Sequence, residues 1–440
     1  MTTTDEDLHA DVHPGRQRLA LTLALAITIP GIFLRLSDAH LTDWLLAALF
    51  GLAIVGAAFM LSWAAEVAQL DISAGLAIAV LAFIAVLPEY AVDLVFAIKG
   101  GNSFEETGRA CLPHAGTTES PCRLALANMT GANRLLIGVG WSMVVFLAWW
   151  VWRKRGQPER GRGVMLERSH SVELGYLTLA TLYSLTLPLK RSVTLIDAVV
   201  LVSIFIAYTI RISRAPAEEP HLVGPARWIG SFTVRGRRIT VALLFLFAAG
   251  VILLCAEHFA DALVETGASL GVSEFLLVQW LAPLASEAPE LLVAGMYAWR
   301  LNTNAGLGTL VSSKVNQWTL LVGTLPIAFA IASGSLHGLP LDSLQREELF
   351  LTAGQSLFAV AILANLEMSI GEAWWLLSLF LVQFVAGAVG PESMHDDARV
   401  ITGIIYVVLG VYLLARKGPA LRKLFRDGFR TPYSELVDHT

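Results

Sequence analysis

The chain has 440 residues, 55% of them hydrophobic and 15% charged, with a formal net charge of −5. Soluble globular chains carry about 25% charged residues, so this composition belongs in a lipid bilayer, and a small acidic balance offers nucleic acid no electrostatic footprint. No P-loop, HExxH or CxxC occurs, which leaves no sequence sign of a nucleotide- or zinc-dependent enzyme, and three cysteines do not make a disulfide scaffold.

A spanning helix needs about 20 largely apolar residues. Twelve segments meet that: 17–36, 41–65, 71–98, 124–152, 172–189, 195–212, 239–266, 272–299, 306–333, 347–369, 372–390 and 399–417. The first follows Arg16 and Arg18 as a signal peptide would. Its leader carries Asp5, Glu6, Asp7 and Asp11 and shows no small-residue cleavage site, so a retained anchor is expected. Segments 153–168, 211–238 and 416–430 each concentrate Arg and Lys. With twelve spans all three fall on one side, which the positive-inside rule makes cytoplasmic together with both termini. The acidic loop 391–397 falls on the other side, as does 99–123 with Cys111 and Cys122, read either as a disulfide or as unpaired thiols.

Two spans are interrupted in the same way. One contains Ala85-Val86-Leu87-Pro88-Glu89, with Asp93 one turn later; the other contains Ser286-Glu287-Ala288-Pro289-Glu290. Proline removes a backbone donor and frees the carbonyl four residues back, here Ile84 and Ala285. Broken helix is tolerated at membrane depth where it lines a cavity, and an intramembrane carboxylate is by default a functional residue. Carboxylates beside freed carbonyls form the all-oxygen ligand set that hard cations prefer. The halves repeat further. Ala127-Asn128-Met129-Thr130-Gly131-Ala132-Asn133 corresponds to Gly308-Thr309-Leu310-Val311-Ser312-Ser313-Lys314, and Ser171-Val172-Glu173-Leu174 to Arg346-Glu347-Glu348-Leu349. Each unit has five spans, and an odd-numbered repeat reverses its direction across the membrane.

These residues resemble the cation/calcium exchanger superfamily, which includes the sodium/calcium exchangers, over about residues 41–390. Its two repeats read roughly G-T-S-x-P-E and then G-N-x-x-G-S-N. The resemblance implies an all-α polytopic membrane protein of about twelve helices, with two inverted five-helix repeats broken at the midplane and one extra helix at each end. The expected divisions are 1–40 for the tail and first extra helix, 41–212 for repeat 1, 213–238 for a cytoplasmic linker, 239–390 for repeat 2, and 391–440 for the last extra helix and basic tail. It also implies secondary active antiport of Na+ or Ca2+ against Na+ or H+ in the cell membrane, with no cofactor, no enzymatic activity, and small cations and lipid as partners. Carried over by position, the cation ligands are Glu89, Asn128 and Asn133 from repeat 1 and Ser286, Glu290 and Ser313 from repeat 2. Departures follow. Ala85 and Val86 replace two hydroxyls, Ala132 replaces a serine, Glu287 adds a carboxylate, and Lys314 stands where the second repeat has Asn. The tally is four carboxylates, Glu89, Asp93, Glu287 and Glu290, against two cations, Lys314 and Arg134. Lys314 is read as a tethered cation and Arg134 as a carboxylate partner. The rival class is a non-transporting receptor or scaffold that kept the fold, marked by loss of the carboxylates, and they are present.

Overall fold

A computed structural model describes residues 14–37, 41–71, 87–107, 111–113, 117–215, 222, 224–389 and 392–436. Helix α1 (Pro14–Ser37) is the expected first extra span, and α2 (Asp43–Ala68) follows. Ile84, Ala85 and Val86 lie outside the described residues; α3 (Leu87–Thr107) begins one residue before the Pro-Glu pair. Helix α4 (Pro121–Leu135) passes through a π-helical segment, Leu136–Trp141, into α5 (Ser142–Lys154). Then come strand β1 (Gly163–Met165), α6 (Ser171–Ser184), strand β2 (Ser192–Val193) and α7 (Leu195–Ile212).

The linker expected over 213–238 contains helix α8 (Pro225–Gly230), and its last residues already belong to α9 (Val234–Leu270). Thr233 explains the early start, since its hydroxyl accepts from the Gly236 N–H and caps the helix. The second broken span is α10 (Glu274–Ser286) followed by α11 (Ala288–Trp299), interrupted at Glu287. Helix α12 (Thr303–Asn316) again passes through a π-helical segment, Gln317–Leu321, into α13 (Val322–Ala332). Strand β3 (Leu339–Pro340), α14 (Ser343–Leu363), strand β4 (Glu367–Ser369) and α15 (Ile370–Val389) complete the second unit, followed by α16 (Glu392–Arg416) and α17 (Gly418–Phe429). From Glu392 onward the expected acidic loop is instead the opening of α16, since acidic residues at a helix N-terminus are stabilised by the positive end of its macrodipole. Among the described residues, nine helices are long and apolar enough to cross a membrane unaided. Of the other expected segments, 272–299 is divided at Glu287, 347–369 carries charge at its start, and 71–98 lies largely outside the described residues.

The repeat is visible in the pairing of strands. β1 pairs antiparallel with β4, placing Val164 opposite Met368, and β2 pairs with β3, placing Val193 opposite Leu339. One shift of 175 residues takes Val164 to Leu339 and Val193 to Met368, so each ribbon maps onto the other. A pseudo-two-fold relation of inverted repeats requires this swap. The π-helical segments obey the same logic: the shift of 181 that takes Asn133 to Lys314 also takes Leu136 to Gln317.

Arg153 and Lys154 close α5 on the basic side of the molecule, and Asp71 accepts two bonds from Arg237, at 2.7 and 2.8 Å. On the opposite side, Cys111 and Cys122 form a disulfide. The amphipathic α17 docks on the basic side of α6, with Gly428 against the Ser171 carbonyl and the Phe429 ring 4.9 Å from that of Tyr176. Arg168 clamps it by donating to both oxygens of buried Asp427, at 2.7 and 3.0 Å. This guanidinium, with help from Thr431, holds the Asp427 carboxyl down to about 2. A depressed carboxylate pKa contributes stability that is complete above the unfolded value of about 3.9 and is lost as pH falls toward the folded value. The docked tail should therefore become pepsin-sensitive between about pH 4 and pH 2. Relative to Asp427→Asn, whose tail starts undocked, the wild-type protein should converge at the acid end. A constant ratio across that window would refute the clamp.

Candidate ion-exchange site

Helix α3 packs against α4, and the break at Glu287 lies beside the π-helical segment that follows α12. Glu89 and Asp93 on α3 are buried, as is Glu287 at the break, while Glu290 on α11 is half-buried. Glu89 lies within electrostatic range of Glu290, Glu287 and Asp93, so the carboxylates of the two repeats converge. Each repeat supplies one amide to hold its outlying carboxylate. The Asn128 side chain donates to Asp93 Oδ1 at 2.7 Å, and the Gln317 side chain donates to Glu287 Oε1 at 2.6 Å. The oxygens Glu89 Oε2, Asp93 Oδ2, Glu287 Oε2, Glu290 Oε2, Asn128 Oδ1 and Gln317 Oε1 are buried and find no hydrogen-bond partner among the described residues. A buried polar atom left unpaired costs about 1–3 kcal/mol, and a group of them in one place marks a site that something else completes.

Lys314 is fully buried, and its ammonium donates to Asn133 Oδ1 at 2.6 Å and lies 4.3 Å from the centre of the Trp318 ring. The shift that relates the repeats maps Asn133 onto Lys314. Two symmetry-related positions that touch must lie at the pseudo-two-fold axis, so this bond marks the centre of the molecule. Lys314 is in electrostatic range of Glu287, but Asn133 is its hydrogen-bond partner. Ser286 donates back to the Ala282 and Pro283 carbonyls of its own helix at 3.2 and 3.3 Å, and Ser313 is half-buried on α12.

Arg134 turns away from this cluster. Its Nη2 lies 2.5 Å from Glu348 Oε2, Nη1 donates to Gln383 at 2.8 Å, and its guanidinium stacks 5.0 Å from the Trp280 ring centre. Gln279 donates to the same Glu348 oxygen at 2.9 Å, and Arg399 of α16 stands 3.9 Å from the other. Arg134, Glu348, Gln279 and Gln383 thus form a second buried network beside the first. α10 can approach α4 only because of Gly131: a Cβ there would fall 1.8 Å from the Gln279 carbonyl oxygen, the acceptor that Pro283 leaves free four residues later.

Sequence reasoning did not find Gln317, Glu348, Gln279 or Gln383. In the structure Gln317 opens the second π-helical segment, and such segments often mark functional sites. Among the described residues, no three His, Cys, Asp or Glu side chains stand close enough together to hold one metal ion. A bound cation would therefore take one or two carboxylates with amide and backbone oxygens, or draw the helices together.

The family described as sodium/calcium exchanger protein matches residues 42–213 and 240–387. Among solved structures, that of the H+/Ca2+ exchanger CAX is 40% identical, with a TM-score of 0.84, and the match covers 96% of this chain and 99% of that one. Native YfkE is 15% identical with a TM-score of 0.56, over 89% of this chain and 100% of that one, a likeness of fold alone. No curated protein sequence matches the chain. The matched family and the convergent carboxylates of two inverted repeats lead to one conclusion: the chain belongs to the sodium/calcium exchanger family and is a multi-pass membrane cation antiporter.

Proposed function

We propose that the protein exchanges Ca2+ for H+ by alternating access through the four-carboxylate cluster. The observation that carries this reading is the set of oxygens on Glu89, Asp93, Glu287 and Glu290 that find no partner among the described residues, contributed by helices of both repeats. Carboxylates sharing a dry site cannot all stay ionised together. Either protons or a divalent ion neutralise them, and each excludes the other, which is the thermodynamic content of antiport. Glu89 and Glu290 would be the central ligands, with Glu287, Asp93 and Asn128 completing an oxygen shell of the kind Ca2+ takes, and Ser286 and Ser313 at its flanks. Lys314, held by Asn133, would occupy one cation position permanently and leave fewer for transported ions. The 40% identity to a structure titled as an H+/Ca2+ exchanger supports the choice of ions. The protein would sit in the cell membrane with its basic side and both termini in the cytoplasm.

The test is flux in proteoliposomes with a pH dye and a calcium dye inside. An imposed Ca2+ gradient should drive protons the opposite way, and a pH gradient should drive Ca2+. Absence of both, with the same protein moving Na+ against H+, would overturn the choice of Ca2+; absence of any gradient-driven flux would overturn antiport by this site.

A further inference from the structure

The pseudo-two-fold relation pairs Glu348 on α14 with Glu173 on α6, because the 175-residue shift of the ribbons takes one to the other. Their surroundings differ. Glu348 is locked by Arg134 and Gln279, with Arg399 close by. At the position equivalent to Arg134 the second repeat has Val315, and Arg399 comes from the extra helix α16, which has no counterpart in the first repeat. Among the described residues Glu173 is accordingly a buried carboxylate that no guanidinium reaches. It is 4% exposed, its Oε2 finds no hydrogen-bond partner there, and the ring nitrogen Nδ1 of His170 lies 3.6 Å from its Oε1. Burying a charge without a partner is costly, and nothing in the packing of α6 requires it.

Its neighbours lead in two directions. His170, partly exposed at 15% of its side chain, faces the basic side of the protein. Inward, Tyr208 on α7 lies in electrostatic range of Glu173. His170 also packs against α12 itself, where a Cβ on Gly308 would fall 2.4 Å from its ring. The other ionisable groups around α6 are engaged elsewhere: Arg168 with Asp427, and Arg211 with backbone carbonyls of Gly428 and Thr431.

We infer that Glu173 is the proton-accepting carboxylate on the basic side of the exchanger, loading protons from His170, whose ring packs on α12 of the ion site. The His170 imidazolium gives its Nδ1 proton to the Glu173 carboxylate beside it, leaving a neutral imidazole and a neutral carboxyl, so the pair carries no net charge before or after the transfer. The inference rests on the proton coupling proposed above. Isotopic self-exchange separates the two, since 45Ca2+ swapping for Ca2+ across the membrane moves no net proton. In proteoliposomes, Glu173→Gln should lower Ca2+-driven proton flux at least tenfold while leaving 45Ca2+ self-exchange within twofold of wild type, and Glu173→Asp should restore coupling with a shifted pH profile. Proton flux unchanged in Glu173→Gln would overturn the assignment. So would a parallel loss of self-exchange, which would make Glu173 a structural support. Wild-type protein that self-exchanges Ca2+ without moving protons would instead remove the proton-coupled reading itself.

Discussion

Glu89→Gln and Glu290→Gln should each abolish gradient-driven cation flux while leaving the protein folded and monodisperse. The amide keeps the volume and one oxygen of each side chain but removes the charge that a cation and a proton compete for. A charge-assisted contact contributes about 1.5–3 kcal/mol more than none, so loss of one central ligand weakens cation binding roughly ten- to a hundredfold. Coupling is lost more completely than affinity, because an amide cannot take up the proton that the exchange cycle returns. Asp93→Asn should do less. One of its oxygens is already committed to Asn128, so the substitution removes a charge from the rim rather than from the centre. Lys314→Asn places the residue of the first repeat at the pseudo-equivalent position, frees Asn133 Oδ1 from its ammonium, and should raise divalent flux or add an ion per cycle. Initial rates of 45Ca2+ uptake across the four variants provide the check. An active Glu290→Gln protein would place the exchange site elsewhere, and a rank order with Asp93→Asn as the most damaging would move its centre toward α4.

Much of this was legible in the sequence, for a physical reason. Apolar length finds spans, and a proline beside a carboxylate inside one is improbable unless the chain is built around it. Hence the Pro-Glu pairs at Glu89 and Glu290 and the five-plus-five repeat could be read directly, and among the described residues the structure has helix in each expected segment, with an interruption at Glu287. Pairing across the bundle was not legible. Arg134 follows Asn133 by one residue and so read as a member of the ion site, but successive residues on a helix point about 100° apart, and Arg134 reaches Glu348 on the far side of α4 instead. Glu348 itself sits in a run of charge near a predicted helix end, where a carboxylate ordinarily faces water. Only the docking of α16 and α10 over it makes it buried. Gln317 gave no compositional signal, since glutamine in a span reads equally well as glue between helices.

The Arg134–Glu348 pair makes a prediction about stability that transport assays would miss. Both groups are buried, and breaking a buried pair by removing one partner costs about 3–5 kcal/mol because the survivor is left charged and unsatisfied. The two halves are not equivalent. Removing Arg134 as Arg134→Met leaves Glu348 still bonded by Gln279 and within reach of Arg399. Removing Glu348 as Glu348→Leu leaves the Arg134 guanidinium with neutral partners, the Gln383 and Thr130 oxygens and the face of Trp280. Glu348→Leu should therefore destabilise by the full amount and Arg134→Met by distinctly less. The double variant should recover much of the loss, since a well-packed apolar pair of similar volume is often neutral or better. Thermal unfolding in detergent, followed through the four corners of the cycle, measures the coupling. Additive losses would mean the two groups do not share one desolvated network. The opposite ranking of the single variants would mean that Arg399, not Arg134, is the principal partner of Glu348, and that the extra helix α16 holds the core of the second repeat together.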